Sequence, residues 1–311
     1  MNKSQIGAKQ PELKRGINKV NYEQFIYKPG KKTRLKDFDP NFTADFGDER
    51  EAQTRMQKDA ADIAKYQDIL MAHETNGLLV IFQAMDGAGK DATIKNVMSN
   101  LDPQGCELKM FKQQTEREVK HDYLQRAACS APARGQIGIF NRSYYEHVIV
   151  ERIHPEKLER QNLPKAATGK DVWKKRFRHI NNFEEYLLDE GIHTLKFFLN
   201  ISKDEQREKL LERMKRTEKK WKFAIDDIED REHWDKYMKV YEEAFNHTST
   251  KIAPWYIIPD NHRWFARATV ASVILAKLKS LHSKYPTPTD EQEKEIKKAQ
   301  KILEREAGKS K

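Results

Sequence analysis

The sequence predicts an α/β fold in three layers, with helices on both faces of a five-stranded parallel sheet. Three observations carry this. Five short segments rich in β-branched and aromatic residues recur along the chain, and helical apolar patterns separate them. Their alternation with helices is the signature of a parallel sheet covered on both faces. The first of them runs directly into a glycine-rich turn that opens a helix.

Residues 1 to 48 contain Pro11, Pro29, Gly30 and Pro40 among many charges, with little periodicity, which predicts a basic, extended N-terminal arm. Ten Lys/Arg against four Asp/Glu give residues 1 to 40 alone +6 of the chain's formal +10. From Glu49 to about Thr75 the pattern turns helical, with Ile63, Tyr66 and Leu70 on one face. Strands are then expected at 78–84 (LLVIFQA), 106–111 (CELKMF), 136–141 (QIGIFN), 193–200 (HTLKFFLN) and 255–260 (WYIIPD). Between and after them lie three helical stripes that read as core: Trp173, Phe177, Ile180, Phe183 and Leu187; Tyr237, Val240, Tyr241, Ala244 and Phe245; and Trp264, Ala268, Ala271, Leu275 and Leu278. Pro286 and Pro288 close the packed domain, which spans 49–283. The charged tail, 284–311, reads as helical over 289 to 307 and as a candidate oligomer contact.

Composition narrows the function. The chain's 311 residues suit one large domain with appendages. Its longest apolar runs, such as LLVIF at 78–82, are far too short to span a bilayer. The first residues lack an apolar signal core, and position 2 is Asn, not Gly, which argues against secretion and myristoylation. Cys106 and Cys129 form neither a CxxC nor a metal spacing. A cytoplasmic protein with no membrane partner is expected. Two internal stretches are basic: 152–182 with nine Lys/Arg and three acids, and 205–222 with eight and four. Such stretches fit a polyanionic partner, and charge alone does not choose among nucleic acid, a lipid surface and another polyanion.

The stretch VIFQAMDGAGKDATIK, 80–95, places a strand, a glycine-rich turn and a helix start in the order of a phosphate-binding loop. Backbone N–H groups of such a turn converge at the positive end of the helix. The expected phosphate cradle is therefore Gly87, Ala88, Gly89, Lys90, Asp91, Ala92 and Thr93. Gly87 and Gly89 supply the tight turn, and Lys90 supplies a mobile cation. The loop departs from the usual Gly-x4-Gly-Lys-Ser/Thr pattern twice: Ala84 stands at its first position, and Asp91 replaces the hydroxyl that ordinarily ligates Mg²⁺. Asp91 reads either as an acid favouring the positive helix end or as a functional change. Asp86, inside the loop, would repel phosphates unless a divalent cation intervened, which makes it the expected Mg²⁺ ligand. The strand at 136–141 delivers NRSYYE, with Asn141 where a phosphotransferase ordinarily carries an acid. Arg142 is placed to steady a transferring phosphoryl group. Glu146 either restores the missing carboxylate or is a surface acid near a helix N-terminus.

Five ordered motifs together resemble the family-2 polyphosphate kinases: FQAMDGAGKDATIK, IFNRSYYE, KRFRHINNFE at 175–184, FLNISKDEQ at 198–206 and TSTKIAPWYIIP at 248–259. The similarity covers about residues 45 to 282, and Asn141 with Asp91 resembles the class III branch. The resemblance implies a P-loop kinase-like fold with a helical lid, within about 205–235, and transfer of phosphoryl groups between inorganic polyphosphate and AMP, ADP or ATP. It implies that Asp86 and Lys90 are essential and that Arg142 contacts phosphate. It also implies that Glu146 helps with the monophosphate, leaving open which group activates the acceptor where Asn141 stands. Mg²⁺ is the expected cofactor, with Mn²⁺ as a substitute, and a homo-oligomer (dimer or tetramer) is expected.

A long polyanion requires a basic groove. Lys95, Arg134, Arg176 and Arg178 are candidates, as are Arg207, Arg213, Arg216, Lys219, Lys220 and Lys222 in the lid, with fewer than half expected to touch substrate. Trp221 or Phe223 is a candidate platform for a base, while Asp226, Asp227 and Asp230 lack calcium-loop spacing and read as helix caps. The ten histidines show no HxH or HExxH pattern, and the chemistry does not require a phosphohistidine at His147, His154 or His179. Two other readings stay open: an ATP-dependent nucleoside or nucleotide kinase, and a non-catalytic nucleic-acid-binding protein. Asp91 and the long basic lid argue against the first.

Overall fold

The computed structural model describes residues 21–29, 33–44, 46 and 48–309. Two short 3-10 turns, Tyr22–Phe25 and Leu35–Asp37, precede helix α1 (Glu49–His73), strand β1 (Gly77–Gln83) and helix α2 (Lys90–Val97). Then come β2 (Cys106–Met110), α3 (Glu116–Val119), α4 (Gln125–Ala128), β3 (Ile137–Asn141), α5 (Glu146–Ile153), α6 (Pro155–Glu159) and α7 (Val172–Asp189). The second half continues with β4 (Ile192–Asn200), α8 (Lys203–Lys215), α9 (Asp226–Glu232), α10 (Trp234–Thr248), β5 (Trp255–Pro259), α11 (Arg263–Ser280) and α12 (Asp290–Lys309).

The five strands pair in the order β2-β3-β1-β4-β5, all parallel. Every residue of the central strand β1 is buried, because helices cover both faces, and this is why its sequence is apolar from Gly77 to Phe82. At the edge strand β2 the cover fails on one face, and Leu108 and Met110 are exposed. The stripes expected to be core lie inward: Phe177, Ile180 and Leu187 on α7, all five named residues of α10, and Ala268, Ala271, Leu275 and Leu278 on α11. Because β1 is flanked by β3 on one side and β4 on the other, the chain reverses its direction of winding there. In open parallel sheets the carboxyl ends of the strands at such a switch point form a ligand crevice.

The arm differs from expectation over its described part. Phe25, Tyr27 and Leu35 are buried in the domain core, and the rings of Phe25, Phe42 and Phe46 surround Phe265 of α11. Ile26 bridges Tyr256 in antiparallel fashion, and the Tyr27 N–H donates to the Trp255 carbonyl at 2.9 Å, so the arm covers the open edge of β5. Its aromatics, outnumbered by charges in the sequence, carry this docking. Seven of its ten basic residues, Lys3, Lys9, Lys14, Arg15, Lys19, Lys31 and Lys32, lie outside the described residues. Beyond the prolines, α12 is exposed from Asp290 to Glu306, Ile296, Ile302 and Leu303 included.

Candidate active site

The turn after β1 is shaped by two glycines at φ near +89° and +88°, a region side chains disfavour, with Gly89 as the N-cap residue of α2. A Cβ at Gly89 would lie 3.2 Å from the Arg263 guanidinium. The turn is held from behind: Gln206 of α8 donates to the Asp86 carbonyl at 2.7 Å, and Arg263 donates to the Gly87 carbonyl at 3.2 Å. Lys90 folds back into its own loop, donating to the Ala84 carbonyl at 2.9 Å and the Met85 carbonyl at 3.4 Å, with Asp86 Oδ1 also at 3.4 Å.

Asp86 faces two cations. Arg142 Nη2 lies 2.6 Å from Asp86 Oδ1, and Arg142 Nη1 lies 3.4 Å from Glu146 Oε2. Arg142 takes a left-handed φ of 60°, sparse for a residue with a side chain, and this turns its guanidinium from the end of β3 back across the crevice to Asp86. Burial works to raise the Asp86 carboxyl, but Lys90 and Arg142 outweigh it and hold the group well below the usual carboxylate range. Burial lowers the Lys90 ammonium against the pull of Asp86, while Asp86 and Glu146 raise the Arg142 guanidinium.

Two cavities meet at this ion pair. One, of about 600 Å³, opens along the glycine turn and α8; the other, of about 430 Å³, opens along α5 toward α9. They share Asp86, Phe111, Lys112, Arg142 and Asp227. Their charges differ: eight Lys/Arg against four Asp/Glu line the first, and five against eight line the second.

The structure brings together most of the residues singled out in the sequence. Gly87, Gly89, Lys90, Asp91, Ala92, Lys95, Asn141, Arg142, Arg213 and Lys219 line the first cavity, and Glu146 lines the second. Ala88 and Thr93 are turned into the interior. Two basic candidates lie elsewhere. Arg134 sits before β3, at the amino ends of the strands, paired with Glu190 at 3.8 Å, and Arg178 lies on the exposed face of α7. Arg176 is buried behind the second cavity, where it holds Glu151 at 2.6 Å and packs its guanidinium over Tyr123. In the lid, Arg207 and Arg216 pair with acids of their own segment, Lys220 is exposed outside both cavities, and the Lys222 side chain lies outside the described residues. Trp221 and Phe223 are exposed and line neither cavity.

The lid acids are not caps. Asp227 binds Arg213 at 2.6 Å and reaches both cavities, and burial with the nearby Asp86 raises its carboxyl. Asp230 lies 2.7 Å from His154 Nε2 and accepts from Tyr237 at 2.7 Å, which ties α9 to α5 and α10. Sequence reasoning also passed over Lys112, Lys209 and Arg263 as cavity cations. Arg263 had one usable signal: it follows the last strand, on the edge of the sheet where ligands gather.

A parallel sheet with a glycine-rich turn at a helix start, a lysine folded into that turn and an arginine bridging to it define a P-loop kinase-like protein. The chain belongs to the polyphosphate kinase 2 family, whose sequence model matches residues 47–286. It is 38% identical to an ADP-polyphosphate phosphotransferase of Rhodopseudomonas palustris, over 89% of this chain and 96% of that one. It is 41% identical to an AMP/ADP-polyphosphate phosphotransferase of Meiothermus ruber, over 88% and 98%. The crystal structure of polyphosphate kinase 2 from Arthrobacter aurescens superposes with a TM-score of 0.79 at 35% identity, covering 86% of this chain and 91% of that one.

Proposed function

We propose that this protein transfers the terminal phosphoryl group of inorganic polyphosphate to AMP and ADP, giving ADP and ATP, and that it also runs in reverse. The observation that carries this reading is the pair of cavities meeting at Asp86 and Arg142. The basic cavity suits a polyanion of repeating phosphates, and the acid-lined one suits a nucleotide with its sugar hydroxyls. At the junction, the bond from the terminal phosphorus to the chain's bridging oxygen breaks as a bond to an acceptor phosphate oxygen forms. The shortened chain leaves with the bonding electron pair. A phosphate acceptor with a second pKa of about 6 is already ionised near neutrality, so no side chain has to deprotonate it.

Lys90 and the loop amides hold the transferring group, and Arg142, drawn from Asp86 toward phosphate oxygens, balances charge between the two cavities. Lys95, Lys209, Arg213 and Lys219 line the path of the chain. Asn141 and Asp91 fix the loop against the end of β3, and Glu146 orients the acceptor through Arg142.

Asp86 fits a divalent cation: it is kept ionised, it reaches both cavities, and Asp227 stands near it. Among the described residues no cluster of three or more His, Cys, Asp or Glu side chains could hold a metal, so most ligand positions fall to phosphate oxygens and water, the habit of Mg²⁺. Mg²⁺, or Mn²⁺ in its place, supplies charge neutralisation on the phosphates when bound. We also place the protein in the cytoplasm, which its free cysteines support, and as a homo-oligomer, which the exposed Ile296, Ile302 and Leu303 of α12 support. No helix among the described residues is long and apolar enough to cross a membrane.

The test is incubation with Mg²⁺, long-chain polyphosphate and AMP or ADP in the absence of ATP, with a chelator control. ADP and ATP are the expected products. Product only from ATP and a nucleoside or nucleotide would favour an ATP-dependent kinase. Salt-sensitive nucleic-acid binding without product would favour a binding protein.

A further inference from the structure

The loop hydroxyl and the strand-end acid of a P-loop site ordinarily hold Mg²⁺ together, the hydroxyl on the helix and the carboxylate on the strand. Both positions are changed in this chain, and the structure shows that the two changes touch. Asn141 Nδ2 donates to Asp91 Oδ1 at 2.8 Å. Asn141 is the last residue of β3, 6% exposed, in register with Phe82 of β1 and Met110 of β2, and its carbonyl accepts the Phe111 N–H at 3.0 Å. Its side chain therefore leaves a backbone fixed by both neighbouring strands. Asp91 follows Lys90 in the first turn of α2. An ionised carboxylate only accepts hydrogen bonds, so the strand partner must be a donor, and an amide is the donor with the geometry of the missing carboxylate.

We infer that Asp91 and Asn141 are an exchanged pair: the site's acid has moved from strand to helix, the donor from helix to strand, and the hydrogen bond between them sets the spacing of the phosphate loop against the end of β3. These are positioning residues. The bond spans the same gap as the Asp86–Arg142 pair, from the side of the loop that carries Lys90. Two ties between the same two segments fix both distance and rotation, which one alone does not. Neither residue can then be changed alone. Asn141→Asp would set two carboxylates against each other within hydrogen-bond distance, and Asp91→Asn would replace a charge-assisted bond with a weaker amide pair.

The test is a double-mutant cycle with Asp91→Asn, Asn141→Asp and the Asp91→Asn/Asn141→Asp double variant. It is read in polyphosphate-dependent kcat and KM and, separately, in urea unfolding. A hydrogen bond to a charged group contributes about 1.5–3 kcal/mol, so each single variant should lose about 10- to 100-fold in kcat. KM for nucleotide should change little. The double variant, which restores one acid and one amide with reversed polarity, should return to within about tenfold of the parent. The rate readout rests on the proposed phosphotransfer, whereas the unfolding readout does not. A parent protein without polyphosphate-dependent product would defeat that proposal, and the coupling would still be measurable in stability. A double variant whose loss in unfolding free energy equals the sum of the two single losses, or an Asn141→Asp variant with parental kcat and stability, would overturn the exchange.

Discussion

Removal of a lysine far from solvent should cost the fold several kcal/mol, on the order of what breaking a buried ion pair costs. Lys196 of β4 and Glu184 of α7 are both fully buried and 2.6 Å apart. The lysine's other two protons go to the Tyr145 hydroxyl at 2.9 Å and the Thr248 carbonyl at 2.7 Å, so its donor capacity is filled. Glu184 Oε1 accepts from both Tyr144 and Tyr145 at 2.9 Å. Burial pushes the Lys196 ammonium down, and Glu184 opposes the shift. Lys196→Met keeps the volume but leaves a carboxylate buried with two phenols and no counter-charge, and breaking such a pair costs about 3–5 kcal/mol. Adding Glu184→Gln removes the stranded charge while still accepting from the tyrosines, and should recover about half of the loss. Tyr144 and Tyr145 lie between Arg142 and Glu146, so the single variant should lose kcat as well. Urea unfolding followed by tryptophan fluorescence suits the measurement, because the Trp255 ring lies 4.7 Å from that of Tyr145 and beneath Lys196. A Lys196→Met loss below about 1 kcal/mol, or a double variant less stable than Lys196→Met, would refute the account of the pair.

Asp260 offers a pH signature. Both of its oxygens are buried without a hydrogen-bond partner, and burial, against Arg263 and Arg267, pushes its carboxyl up to about 8. Its unfolded value is about 3.9, so between about pH 4 and 8 the folded state binds a proton that the unfolded chain does not, and stability falls as pH rises through that window. The gain in Tm from Asp260→Asn should therefore be larger at pH 8 than at pH 5, and equal gains would contradict the assignment. Lys209 lines the basic cavity and Arg178 faces away from it. Lys209→Ala should raise KM for polyphosphate about two- to tenfold, more at low salt, while Arg178→Ala leaves it unchanged; a reversed order would place the chain on α7 instead.

The five strands were legible to within a residue or two at each end; burial on both faces leaves an apolar run at β1 and β3, while the edge strand β2 shows instead as a short alternating segment between turns. The glycine turn was legible for a similar reason: positive φ at Gly87 and Gly89 restricts residue choice sharply. The role of Asp91 was not legible from the loop alone, because its partner is fifty positions away and only strand register brings Asn141 to it. The arm's docking was hidden by its own charges, since six aromatics spread over more than twenty residues make no periodic pattern.

Charge was the weakest guide to the site, and the failures have a common geometry. Arg134 and Arg263 are both arginines flanking strands, yet one lies at the amino ends of the sheet and the other touches the phosphate loop. What separates them is order along the chain: Arg134 precedes β3, whereas Arg263 follows β5, as Asp86 follows β1 and Arg142 follows β3. All strands are parallel, so every residue just past a strand arrives at the same edge, and every residue just before one arrives at the opposite edge. The basic residues of α8 obey a second rule. The face of the helix that carries Gln206 and Leu210 against the loop also brings Lys209 and Arg213 to the cavity, with Lys209 held by Glu205, while Arg207 turns away to Asp204 and Glu208. Side of the sheet and face of the helix, both readable once the strands are placed, therefore sort the cations that charge counting leaves mixed.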